Sequence, residues 1–188
     1  MKTTKKLLIF WLIIMFLVTF TSSLVYLVAQ QTLRLGANEQ PMELAMDTAR
    51  KLESGLSAVM AVPTNQVDIS KSLSPFVMVF DTNKNLLSTS GMMDSSKPIY
   101  PKGVLDSVAK NGENRVTWQP QTGLRYATVA IKTNSGYVVA GRSLTETEKL
   151  IDEIGRLVLM AWFVCTVFSA MALMVIYIFI TKIFKSEL

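Results

Sequence analysis

The side chains able to do chemistry are few, and their absences narrow the choice. Histidine is missing from all 188 residues, and the single cysteine, Cys165, sits inside an uncharged apolar run. Ser–His–Asp and Cys–His nucleophiles and the common His/Cys zinc sites are thereby excluded. Ser143 and Lys149 leave a Ser–Lys dyad formally open, at a spacing that does not recommend it. No enzyme, metal or cofactor is expected. Asp81-Thr-Asn-Lys-Asn85 opens with alternating oxygen ligands like a calcium loop, but the glycine such a loop needs is missing and Met92 stands where a bidentate glutamate belongs. A hairpin turn rich in Asp and Asn accounts for the same residues.

Two constellations remain. Arg115, Arg125 and Arg142 fall in consecutive strand-like segments, with Trp118, Tyr126 and Tyr137 close by. Converging on a cavity, the arginine forks would bind a small carboxylate or an amino acid and the rings would wall it. Strand alternation puts Arg115 out of phase with Trp118 and Arg125 out of phase with Tyr126, so the competing reading is solvent-facing cations beside core aromatics. The other constellation is Ala161, Cys165 and Ser169, small side chains recurring every four residues. Such a stripe lets helices approach closely in lipid, and chance in a segment rich in small residues is its alternative.

The elements that must position these residues begin with two apolar runs. Half of the residues are hydrophobic, and they are concentrated: 7–29 and 157–181 carry no charge. Each run exceeds the ~20 residues that cross a hydrocarbon layer of ~30 Å. A secretory signal is the alternative for the first run, but its length exceeds the usual ~7–15-residue apolar core, which favours an uncleaved anchor. Lys2, Lys5 and Lys6 precede the first run; Lys182 and Lys185 follow the second, against Glu187 alone, while 14 basic and 13 acidic residues lie between. The positive-inside bias predicts cytoplasmic termini, 1–6 and 182–188, and an exported segment, 30–156. Four of the five net positive charges are thus cytoplasmic flank, so the pI of about 9.4 needs no nucleic acid to explain it. The exported segment has no cysteine, so its fold rests on its own core, which suits a bacterial envelope.

Within 30–156, Pro41, Glu43 and Asp47 suit a helix start, and Leu44, Leu52, Leu56 and Val59 recur at helical spacing, predicting a helix over 40–60. Phe76-Val-Met-Val-Phe80 and Leu86-Leu-Ser-Thr-Ser90 flank a polar turn and predict a hairpin. Residues 91–101 read as loop and 102–111 as a short helix closed by Gly112. Strands over 114–118, 124–131 and 137–142 predict an antiparallel meander. From Leu144 a helical pattern runs without proline into the second apolar run, predicting a rigid connection. Five strands in one sheet, with the long helix on one face and the short helix and loops on the other, make an α+β domain.

This order resembles the extracytoplasmic single Cache or PAS-like sensor domains of bacterial two-span receptors. The helix ahead of the first strand carries the likeness, as do the hairpin Phe76–Ser90 and the passage of Tyr137-Val-Val-Ala-Gly-Arg-Ser-Leu144 into a helix bearing Glu146 and Glu148. The resemblance implies a PAS/Cache-like five-stranded antiparallel sheet with a long N-terminal helix, flanked by two transmembrane helices in a bacterial plasma membrane. It departs from the family beyond Thr181, where seven residues leave no room for a kinase or chemoreceptor output domain. The expectation is therefore an accessory sensor binding a small ligand or protein and acting through another membrane protein, such as a sensor kinase, transporter or chemoreceptor, or as a homodimer. A structural assembly factor for an envelope complex is the alternative, and an inhibitor of one exported target a third.

Overall fold

The computed structural model describes residues 2–94 and 96–186. Glu187 lies outside the described residues, as does part of the expected tail 182–188; Lys2 and Lys185 have no described side chain. The elements are α1 (Lys2–Gly36), α2 (Glu39–Glu53), α3 (Ala58–Ala61), β1 (Val67–Asp68), β2 (Phe76–Asp81), β3 (Leu86–Thr89), β4 (Gly91–Met92), α4 (Lys102–Asn111), β5 (Glu113–Gln121), β6 (Leu124–Thr133), β7 (Gly136–Ser143) and α5 (Thr145–Ser186). They form two compact units, one over Leu33–Lys149 and one of the described residues on either side of it.

Leu33–Lys149 is an α+β domain on a five-stranded antiparallel sheet of order β3-β2-β7-β6-β5. The predicted hairpin and meander are both present, joined through their first and last strands. Phe76 lies opposite Gly141 and Asp81 opposite Gly136. Consequently the chain reaches β2 and leaves β7 at the same end of the sheet. The central strands are buried on both faces, which is why β2 and β7 read as unbroken apolar runs and not as alternating ones.

Val77, Val79, Val138 and Ala140 pack with Ala45 and Ala49 of α2 on one face. Phe76, Met78, Phe80, Val139 and Ala130 face the other way, toward Leu105 and Val108 of α4. The small residues Ala45, Thr48 and Ala49 let α2 lie close to the sheet, and the buried Thr48 hydroxyl donates to Leu44 O at 2.8 Å.

Two local expectations are corrected. The helix expected over 40–60 stops at Glu53, where the Ser54 hydroxyl donates to Lys51 O and Gly55 turns to φ 92°, and it restarts only as α3. The region expected as loop after Gly91 begins as a strand: β4 pairs in parallel with β1, Val67 opposite Gly91.

The other unit holds two helices long and apolar enough to cross a membrane. They run antiparallel, with contacts at two-turn intervals. Trp11 Nε1 donates to Ser169 Oγ at 3.3 Å, Trp162 Nε1 donates to Thr19 Oγ1 at 2.9 Å, and the Tyr26 ring lies over Gly155. That near-heptad spacing is the geometry of left-handed helix pairs.

Candidate functional site

The rings expected to wall a cavity fill it instead. Phe76 contacts Tyr126 with centroids 5.5 Å apart and rings nearly perpendicular, Trp118 meets Tyr126 at 5.5 Å, and Tyr100 meets Trp118 at 5.4 Å. The register explains the cluster: Trp118 sits directly opposite Tyr126, and both face α4. Gly141, across from Phe76, makes the space, because a Cβ there would come within 2.5 Å of the Phe76 ring. Gly91 flanks the same ring from the other side, where a Cβ would stand 3.0 Å away.

The phenols entering this core are satisfied. Tyr126 Oη donates to Ile69 O at 2.5 Å. Thr128 Oγ1 spends its proton on Val116 O at 3.0 Å, so in the 2.9 Å contact between Tyr100 and Thr128 the phenol is the donor. Burial pushes the Tyr100 phenol up to about 12, and burial raises Tyr126 as well. A folded-state pKa above the unfolded value of ~10 means that the unfolded chain ionises first. The stabilising contribution of the neutral phenols is therefore fully present below pH ~10 and is lost as pH rises toward 12. Unfolding midpoints measured between pH 8 and 12 are expected to fall above ~10, less steeply in Tyr100→Phe; equal slopes would show that Tyr100 does not titrate late.

The three arginines lie on the opposite face. Arg142 pairs in register with Ala127, two residues along from Arg125, and Arg115 alternates against Trp118. Each has an acidic partner: Arg115 Nε to Glu113 Oε1 at 2.6 Å, Arg125 Nη1 to Glu148 Oε1 at 2.5 Å, and Arg142 Nη2 to Glu146 Oε2 at 3.0 Å. Arg115, Trp118, Arg125, Tyr126 and Arg142 thus do not share one cavity, because a pleated strand sends odd and even residues to different faces. Arg125 and Arg142 instead brace the first turn of α5, whose positive end also favours Glu146 and Glu148. The Arg125 carbonyl accepts from Leu144 N at 2.8 Å beside them. Both glutamates stand in the sequence as α5 begins; what alternation could not supply was which arginine each would meet.

Asp81 serves its turn. Its carboxylate accepts from Asn85 N at 2.7 Å and from Asn85 Nδ2 at 3.0 Å, which holds its pKa below the ordinary value. Lys84, at positive φ, pairs with Asp106 of α4.

Exposed apolar side chains collect at one sheet edge. α3 lies against edge strand β3, and Val59 and Met60 are 71% and 74% exposed, with Leu56 and Leu87 about half exposed. The other edge, β5, is polar: Glu113, Arg115, Thr117, Gln119 and Pro120, a sequence that discourages pairing with another chain. In the helix pair, Ser169 lies on the seam, whereas Ala161 and Cys165 are exposed and turned from it. The seam is built from Gly155, Trp162 and Ser169, seven residues apart, a spacing partly concealed by the more regular run of small residues at 161, 165 and 169. No protein-family model, curated protein or solved structure matches the chain.

Proposed function

We propose that this chain is a two-span protein of a bacterial plasma membrane, with both termini cytoplasmic and a PAS/Cache-like domain exported between the spans. In this reading it is an accessory sensor that acts through a partner membrane protein. The observation that carries the reading is the central pairing of β2 with β7, Phe76 opposite Gly141. It sets the sheet's first strand beside its last, and the chain enters the domain near where it leaves: Ala37, just after α1, packs with Ala127 and with Leu144, just before α5, as insertion between two spans requires. The bracing of α5 by Arg125 and Arg142 ties the last strand to the helix that would carry a response.

The input favoured by the geometry is a protein segment, not a small carboxylate. The aromatic cluster is closed and the arginines are paired, while β3 with Val59, Met60 and Leu87 offers an apolar edge to which an extended partner segment can add as a further strand. A second reading, an assembly factor without sensing, draws on the same closed core. A photo-crosslinking side chain at Met60 in the full chain is expected to capture one membrane protein, and the same group at Gln119 on β5 to capture none. Equal capture at both positions, or none at either, would remove β3 as the docking edge. Stabilisation of the full chain by amino acids or small carboxylates in a thermal-shift screen would return the input to a small ligand. A partner crosslink unchanged by any stimulus would favour assembly.

A further inference from the structure

The helix pair contains a groove with a charged mouth. Its apolar part, of about 340 Å³, runs between α1 and α5, lined by Thr19, Ser22, Tyr26, Val158 and Trp162. It continues into a cleft of about 450 Å³ bounded by Asp152 and Arg156, the two sharing Tyr26, Gly155 and Leu159. Gly155 lies where the two parts meet and lets the Tyr26 ring lie close against α5: a Cβ there would stand 3.2 Å from the ring. Asp152 and Arg156 are one helical turn apart, yet among the described residues neither forms an ion pair with the other or with any third group. Two opposite charges at one mouth, both unpaired, fit a ligand that carries both signs.

Their positions give the order of those signs. Arg156 directly precedes the uncharged run 157–181, so in a bilayer it stands where hydrocarbon gives way to phosphate. Asp152 lies roughly 6 Å farther out along the helix, within a headgroup layer itself roughly 6 Å deep. A phosphoethanolamine headgroup carries its phosphate next to the glycerol and its ammonium outermost, the same order. The guanidinium can fork the phosphate, and the carboxylate can accept from the ammonium N–H groups. Choline has no N–H to give, and a glycerol headgroup has no cation for Asp152.

We infer that this groove binds a zwitterionic aminophospholipid of the phosphatidylethanolamine class, Arg156 on its phosphate, Asp152 on its ammonium and one acyl chain between α1 and α5. The inference rests on the reading that these helices span a membrane. Its test uses the full chain in nanodiscs of equal phosphatidylethanolamine, phosphatidylcholine and phosphatidylglycerol, with lipids retained through mild detergent release counted by native mass spectrometry. Phosphatidylethanolamine is expected to be retained about fivefold over phosphatidylcholine, the scale of one partly screened charge contact. Asp152→Asn should bring that ratio to about one, and Arg156→Gln should lower retention of all three lipids. A membrane-integrated chain that retains the lipids equally, or keeps the preference in Asp152→Asn, overturns the headgroup site and leaves the spans standing. So does a dimer with its groove free of lipid. A chain recovered in the soluble fraction overturns the spanning reading and the lipid site together.

Discussion

Phe76→Ala is expected to cost about 3–5 kcal/mol, the usual range for removing a fully buried ring, from a total stability of roughly 5–15 kcal/mol. The size follows from its position. Phe76 has no exposed surface, sits in the strand that joins hairpin to meander, and holds Tyr126 and Trp118 in contact. Its ring occupies space left by Gly141 and Gly91, neither of which can move in to refill it. In a domain of this size the loss corresponds to roughly 10–20 °C of unfolding midpoint, read for the full chain in detergent by near-ultraviolet circular dichroism. Ile99→Ala is the control. That side chain is 89% exposed, and its removal should stay within about 0.5 kcal/mol. A Phe76→Ala midpoint matching the control would mean that the aromatic cluster does not hold the sheet together.

Gly136→Ala should be nearly as damaging, by about 3 kcal/mol, for a different reason. Gly136 has φ 148° at the β6–β7 turn and lies opposite Asp81. A Cβ there would run into the Phe80 carbonyl oxygen and the Asp81 backbone. Neither is a flexible side-chain end, so strand β2 itself would have to withdraw. Gly123 separates backbone conformation from crowding: it too has positive φ, 83°, but its Cβ would point into open space. Gly123→Ala is therefore expected to cost only the ~1–2 kcal/mol of a left-handed alanine, measured by the same unfolding midpoints. Equal losses at the two glycines would show that crowding against β2 contributes nothing.

The sheet was legible because its strands announce themselves in two ways. Phe76–Phe80 and Tyr137–Ala140 are continuous apolar runs, as strands covered on both faces must be. The turns at Asp81–Asn85 and Lys132–Gly136 carry the Asn, Asp and Gly that hairpins need. The break at Gly55 was not legible, since Leu56 and Val59 continue the helical spacing of α2 although their side chains turn out to be exposed. Nor was β1–β4, two residues a side, too short to show any period.

At the candidate site, alternation foretold that Arg115 and Trp118 point apart, and they do. It also sets Glu113 on the face of Arg115, two residues along the same strand, but it could not foretell that Glu148 and Glu146 would meet Arg125 and Arg142, because those partners are set by where α5 begins. The edge patch at Val59 and Met60 was hidden for a related reason: a short apolar helix looks the same in sequence whether it is covered or bare.

Everything proposed for function rests on the domain between the helices lying across a membrane from the termini. With Cys165→Ala removing the native thiol, single cysteines at Lys5 and at Asn134, an exposed residue of the β6–β7 turn, can be probed in intact bacteria with a membrane-impermeant maleimide. The account predicts that Asn134→Cys is labelled in intact cells, whereas Lys5→Cys is labelled only after the membrane is opened. Protection of Asn134→Cys in intact cells, or labelling of both positions alike, would contradict it.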